Sequence, residues 1–379
     1  MKMSYQSKKE LIKKSKGRYL KSNRQEKKGI LDELCKNTEM NRKYLISLLS
    51  AKKDLNYVNP INKKRRETYD ARVIYYLKKI WKIFDYPCGQ RLEPMLPEYI
   101  EILERFKEII FSEKNKEKLL RIKSATIDRR LKRCKDEKAK KIFSTTKPGS
   151  LLKKQIPIKT SSWDEKRIGF GELDTVAHCG DSASGEFINS LNYTDIASQW
   201  TESEALMGKA QMRIKQALDN IEEHLPFKLK GIDPDNGSEF INWQLYHHCL
   251  EKKIEFTRGR PYKKNDNAHH IEQKNWTHIR KLTGYKRLDQ PSQLKKLNSL
   301  YGHEWRLYKN FFIPNKKLIS KKRINSKIVK KYDIPKTPYQ RLLENKEVSP
   351  LKKKELKEIY AKLNPAELKR TIDKKINKL

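Results

Sequence analysis

The stretch that most restricts the fold is Gly231-Ile-Asp-Pro-Asp-Asn-Gly-Ser-Glu-Phe240. The run Phe227-Lys-Leu-Lys-Gly-Ile-Asp233 has the alternation of a strand, and Asn236-Gly237 after Pro234 turns the chain. A strand that ends on carboxylates at a tight turn holds Asp235 at the sheet edge, where a hard cation can take its oxygens. Two further carboxylates lie in comparable contexts on either side. Upstream, Gly169-Phe-Gly-Glu-Leu-Asp-Thr-Val-Ala-His178 puts Asp174 inside a strand-like run. Downstream, Arg260-Pro-Tyr-Lys-Lys-Asn-Asp-Asn-Ala-His-His-Ile-Glu272 leads from a Pro-marked loop into a helix carrying Glu272, with 36 residues between Asp235 and Glu272.

From Trp163 to Gly284 the pattern alternates strand and helix. Strands are expected at Gly169–Ala177, Glu186–Ala197, Gln199–Ala205, Lys228–Ile232 and Ile254–Thr257, the first three as an antiparallel meander. Helices are expected at Gly208–Leu225, with Ile214, Ala217, Leu218 and Ile221 on one face, from Phe240 to about Lys252, and from Ala268 to Gly284. This is a mixed five-stranded sheet with helices, whose topology periodicity alone does not fix.

The Asp, Asp-Asn-Gly-x-x-Phe and Pro-Tyr…Glu pattern resembles the catalytic core of retroviral integrases and of integrase-core (rve) transposases from bacterial insertion sequences. The Glu-Gln-Lys-Asn-Trp276 run resembles one bacterial transposase group in particular. The resemblance is strongest over about Trp163 to Leu288 and extends more weakly through the N-terminal helices and to Thr337-Pro-Tyr-Gln-Arg341. It implies a ribonuclease-H-like α/β core and a DDE triad of Asp174, Asp235 and Glu272. It also implies two Mg²⁺ (or Mn²⁺) ions, Asp174 bridging both, Asp235 holding one and Glu272 the other. Motif context favours Asp235 over Asp233 and Asp174 over Glu172, while Glu239 and Asp266 read as a helix-start charge and a turn residue. The His247-His248-Cys249 and His269-His270 runs lack the paired spacing of a structural zinc site.

Charge divides the chain. The formal net charge is +40, yet residues 161–290 carry 18 Lys and Arg against 20 Asp and Glu, so the excess sits on the flanks. Basic flanks neutralise phosphates and release counterions, which points to a polyanionic partner. An acidic middle is what a cation-binding carboxylate cluster leaves behind. The five cysteines lack Cys-x-x-Cys spacing, no signal-peptide pattern opens the chain, and no run reaches about 18 apolar residues. These features predict a cytoplasmic protein with free thiols that acts on the nucleoid and not at a membrane.

The expected organisation is multidomain. Residues 1–135 form an all-α DNA-binding region, 136–162 a basic linker, 163–290 the catalytic core, and 291–379 a basic, mostly helical C-terminal region. Residues 1–20 read as loose and basic. Helix-turn-helix units are expected at about 24–50, whose second helix opens with Asn41, Arg42 and Lys43, and at 115–134, with Ser124 as N-cap. In the second unit Ile127 and Leu131 face inward and Arg129, Arg130 and Arg133 outward. Trp81 reads as packing. Near the triad, Arg260, Lys263, Lys264, Lys274 and Arg280 are expected to contact end phosphates, and Tyr262 to stack on a base. The expected function is that of a transposase. It would bind the terminal inverted repeats of double-stranded DNA, cleave them, and join the 3′-OH ends to target DNA as a homo-oligomer. The alternative is a catalytically silent, sequence-specific DNA-binding protein derived from one.

Overall fold

The computed structural model describes residues 3–50, 68–134, 165–235, 237–258 and 269–379. Packing divides the chain into two units, Met1–Thr68 and Tyr69–Leu379. The first contains α1 (Tyr5–Lys21), α2 (Arg24–Thr38) and α3 (Arg42–Ser50). Residues 1–20, expected to be loose, are therefore largely helical. Ser4 caps α1, and Ile12 and Tyr19, seven residues apart, are its buried residues. They pack with Ile30, Leu31 and Leu34 of α2 and Leu45 and Leu49 of α3. Asn23 and Glu26 close a capping box on α2, which ends at Glu39 in the left-handed region (φ 56°). The polar break expected at Lys36–Glu39 falls later, since α2 runs through Thr38 and the turn into α3 covers residues 39–41.

The second unit opens with α4 (Ala71–Ile83), α5 (Gly89–Leu92), α6 (Leu96–Arg105), α7 (Glu113–Arg121) and α8 (Ser124–Leu131). Sequence assigned these helices to the N-terminal region, but they share a core with the C-terminal segment. Phe84 and Tyr99 stack at 3.4 Å, and the Tyr99 hydroxyl donates to the Phe312 carbonyl at 2.6 Å. Trp81 is buried and donates to the Pro87 carbonyl, a packing role as expected. Ser124 is the first residue of α8 and not its cap. Lys123 takes the cap position without a side-chain bond, and Glu93 accepts the Ser124 N–H at 2.7 Å instead.

Five strands form one sheet in the order β3-β2-β1-β4-β5: β1 (Phe170–Ala177), β2 (Ile188–Asp195), β3 (Thr201–Met207), β4 (Gly231–Pro234) and β5 (Glu255–Phe256). The first three are the antiparallel meander that the sequence predicted, and β1–β4 and β4–β5 are parallel. Asp195 fixes the turn between β2 and β3: its carboxylate accepts from Gly169 N, Ser198 N and Ser198 Oγ. Helix α9 (Gln211–His224) packs Ile214, Ala217, Leu218 and Ile221 on one face of the sheet against Leu173, Leu191 and Leu206. Helix α10 (Trp243–Lys252) is capped by Asn242. On the opposite side α11 (His269–Lys274) leads into a π-helical turn Asn275–Arg280, and the sheet shares its core with that turn, α12 (Lys281–Thr283), α13 (Pro291–Leu300), a second π-helical turn Tyr301–Trp305, and α14 (Arg306–Phe312).

A two-stranded ribbon, β6 (Leu318–Ile324) and β7 (Lys327–Tyr332), interrupts the C-terminal region that was expected to be mostly helical. Helices α15 (Pro338–Glu344), α16 (Pro350–Lys362) and α17 (Pro365–Ile376) follow, with Leu342, Leu356 and Ile372 buried. No described helix is long and apolar enough to cross a membrane.

Candidate active site

Register builds the site. In the parallel β1–β4 pair Leu173 lies opposite Pro234, the last matched pair before the strands part. The next residues are Asp174 and Asp235, so the two expected carboxylates emerge side by side on strands about 4.8 Å apart. Asp174 Oδ1 accepts the Thr175 N–H at 2.7 Å, and Asp235 Oδ1 accepts the Gly237 N–H at 2.9 Å. A Cβ at Gly237 would stand 2.5 Å from Glu239 Oε2 and 2.9 Å from Asp235 Oδ1, so the turn needs a glycine to keep these carboxylates in place.

Electrostatics mark the pair. Burial, and next the charge of Asp235, hold Asp174 above the ordinary carboxylate range against the pull of Thr175 N–H, Lys209 and Asn275. Burial also raises Asp235, with the Gly237 N–H opposing and Glu239 adding to the rise. Glu239 is more than a helix-start charge. It is buried next to the pair, accepting from Lys209 Nζ at 2.7 Å and Thr175 Oγ1 at 3.2 Å. Carboxylates crowded together in a buried place are the donor set whose charge a hard cation relieves. Among the described residues no group of three His, Cys, Asp or Glu side chains meets at metal-binding spacing.

The third expected acid, Glu272, lies in α11, and its side chain is outside the described residues. Glu172 fixes where that helix starts: its Oε2 accepts the Ile271 N–H at 2.9 Å. The competing acids of the two strands thus have structural partners, Glu172 at α11 and Asp233 at Thr257 Oγ1 (3.0 Å).

A polar chain leads away from Asp174. Asn275, first residue of the π-helical turn, donates Nδ2–H to Asp174 Oδ2 at 2.6 Å. An ionised carboxylate only accepts, so the amide oxygen of Asn275 is left to accept from Asn192 Nδ2 at 2.9 Å. Asn192 in turn accepts from Ser203 Oγ, and Ser203 from the buried Lys309 ammonium, each at 2.9 Å. Burial pushes Lys309 down to about 7, with Glu202 opposing the shift. Sequence reasoning missed Lys209, Asn192, Asn275 and Lys309. The one available signal was Asn275 itself, three residues after Glu272 and so one helical turn along the same face.

No protein-family model matches the chain. It is 34% identical over 325 residues to the uncharacterized protein y4rM of Sinorhizobium fredii, a match spanning 86% of this chain and 91% of that protein. The chain belongs to the y4rM family. It is also similar to the crystal structure of the catalytic core domain of BIV integrase in crystal form I, at 13% identity and a TM-score of 0.31, over 47% of this chain and 96% of that one. The region shared with y4rM, at 325 residues, is longer than the sheet and its helices, so the family relationship takes in flanking elements as well.

In this y4rM relative the expected DNA contacts separate into several groups. Lys274 is a correction: it is 2% exposed, its ammonium turned to the Gln199 carbonyl and His278 Nε2, and burial holds it well below the usual lysine range. Residues 271, 274 and 278 share the inward face of the helix, so a lysine at 274 cannot reach solvent. Arg280 is half-buried: its guanidinium donates to the Ala177 carbonyl at 2.6 Å and lies over the Tyr285 ring, fastening the π-helical turn to the end of β1. Arg42 pairs with Asp32 of α2. Asn41 accepts the Lys43 N–H, and Lys43 is exposed. Arg129 and Arg130 are exposed on α8, while the side chain of Arg133 lies outside the described residues. Arg260, Tyr262, Lys263, Lys264 and Asp266 lie outside them entirely, as does the 136–162 linker.

Proposed function

We propose that this y4rM-family chain is a DDE-type transposase, a polynucleotidyl transferase that cleaves transposon-end DNA and joins the freed 3′-OH to target DNA. The observation that carries this reading is the adjacency of Asp174 and Asp235 at the parting ends of β1 and β4. Support comes from the helix of Glu272, which Glu172 ties to β1, and from the strand order and directions, which match the ribonuclease-H-like core that the motifs imply.

Asp174 and Asp235, with Glu272, would hold two divalent cations, Mg²⁺ or Mn²⁺. When bound, such ions activate the attacking oxygen and stabilise the leaving oxygen of an in-line phosphoryl displacement. The chain's own residues set the stage. Asn275 fixes the Asp174 carboxylate from one side, the Thr175 N–H fixes it from the other, and Lys209 balances the charge of Glu239. Water attacks the phosphodiester at the element's end and frees a 3′-OH. That hydroxyl then attacks a target phosphodiester, so each bond broken is matched by one formed and no covalent protein–DNA species is needed. The helix-turn-helix of α2 and α3, with Lys43 exposed, would read the terminal repeats of duplex DNA. Joining two ends requires at least two copies of the chain.

The test is Asp235→Asn with Mg²⁺ present. Strand transfer to a target plasmid should vanish while binding to end DNA persists. Cleavage that survives the substitution would overturn the assignment, and end binding by a wild-type chain that never cleaves would leave only a DNA-binding protein.

A further inference from the structure

We propose that the β6–β7 ribbon is a second, independent grip on duplex DNA, with phosphates on both sides of it. The proposal rests on no part of the catalytic reading.

Residues 316–332 hold eight Lys and Arg and no Asp or Glu. The ribbon pairs with no other described strand, and every residue of β7 is exposed. Register brings Lys330 opposite Lys321, Lys322 opposite Val329, Arg323 opposite Ile328, and Ile324 opposite Lys327. Lys322, Lys327, Lys330 and Lys331 make no ion pair with the described residues. A two-stranded ribbon is marginal on its own, and like charges set opposite one another weaken it further.

Yet its base is fixed. Lys317 N donates to Asp333 Oδ1 at 2.6 Å, Asp333 N to the Lys317 carbonyl at 2.9 Å, and Arg341 of α15 donates to Asp333 Oδ2 at 2.6 Å. A firmly held base carrying an uncompensated cationic ribbon is an arrangement completed by an external anion.

The distribution of residues selects among anions. Directly opposed residues share a face, so cations occur on both faces, mixed with exposed Ile324, Ile328 and Val329. A membrane-surface element needs its apolar residues gathered on one side. Edge-to-edge addition of a second copy would align lysines with lysines. A B-form major groove, by contrast, is about 12 Å wide, admits a two-stranded ribbon, and lines it with phosphates on either side. The deep, narrow major groove of duplex RNA does not admit one.

The experiment compares the full chain with a Lys322→Gln/Lys327→Gln/Lys330→Gln/Lys331→Gln variant, using a random-sequence duplex and fluorescence anisotropy. Across about 50 to 200 mM salt, each lost phosphate contact lowers the slope of log K against log salt by about 0.9, so the slope should shrink by about 3 to 4. The thermal transition should hold or rise, since opposed like charges are relieved. On the native chain, duplex DNA should protect these four lysines from acetylation, a readout that does not depend on how the variant folds. An unchanged slope in a folded variant, absent protection, equal loss of duplex RNA binding, or a changed oligomeric state without DNA would each overturn the proposal.

Discussion

Substituting Lys309 by Met should change how the stability of the protein depends on pH. Lys309 is fully buried, and its ammonium donates to Ser203 Oγ at 2.9 Å. Burial lowers it from an ordinary 10.5 to about 7. Between those values the unfolded chain carries a proton that the folded chain lacks, so native stability rises with pH through this window. The stability is fully present above about 10.5 and is lost as pH falls through about 7. At about 1.4 kcal/mol per pH unit, the difference across the window is about 5 kcal/mol. Methionine keeps the unbranched stem, one heavy atom shorter, and removes the charge. It forfeits the Ser203 bond, a loss of about 1 kcal/mol. It does not strand Glu202, which still accepts from Trp200 Nε1 at 2.7 Å and pairs with Arg306 at 3.3 Å. Urea unfolding of both full-length chains, followed by circular dichroism at several pH values from 6.5 to 10, measures the difference. The variant should be the more stable by about 4 kcal/mol at pH 6.5, and its advantage should disappear toward pH 10. Two curves that stay parallel across this range would refute the reasoning, because they would mean that the ammonium remains charged in the fold at every pH tested.

Asn275→Ala should lower the rate of strand transfer by about 10- to 100-fold, as loss of a group orienting a ligand carboxylate does. End-DNA affinity should stay close to that of the parent, while the urea midpoint should fall by the equivalent of about 1–3 kcal/mol because buried Asn192 Nδ2 loses its acceptor; a gel assay beside an anisotropy titration separates rate from binding. Leu218→Ala, which opens a void where α9 meets the sheet, should cost about 2–5 kcal/mol in urea unfolding. A smaller loss would mean that the layer beneath the sheet collapses to fill the space.

What the sequence made legible was local. Alternation in Phe170–Ala177 and the Pro-Asp-Asn-Gly turn give the strands, and their ends give the position of Asp235. The meander follows from short connections between strands. Three things were hidden for physical reasons. Helix α1 has Ile12 and Tyr19 as its buried residues, too few to stand out among its lysines. The direction of Lys274 depends on where α11 docks, and that is decided by Glu172 nearly a hundred positions upstream. The ribbon β6–β7 lacks a clean apolar-polar alternation because both its faces are exposed, so lysine runs disguise the strand period.

The same separation in sequence accounts for the hidden half of the site. The carboxylates come from motifs, but the group that orients one of them is held by a chain running Asn275–Asn192–Ser203–Lys309 across four elements. Each link is an ordinary polar residue whose local context carries no signal. Below about pH 7, where Lys309 is charged, their order fixes direction as well as position: the ammonium can only donate, so Ser203 must donate onward to Asn192, Asn192 to Asn275, and Asn275 to Asp174. A buried lysine at one end therefore determines which atom of Asn275 faces the carboxylate at the other. On this account Lys309→Met, although far from the carboxylates in the chain, should slow strand transfer near neutral pH and below, where the ammonium of the parent holds the Ser203 hydroxyl to one direction. A variant that gains stability near neutral pH and keeps the full rate would show that packing alone holds Asn275, and that the polar chain is a consequence of the fold with no part in orienting Asp174.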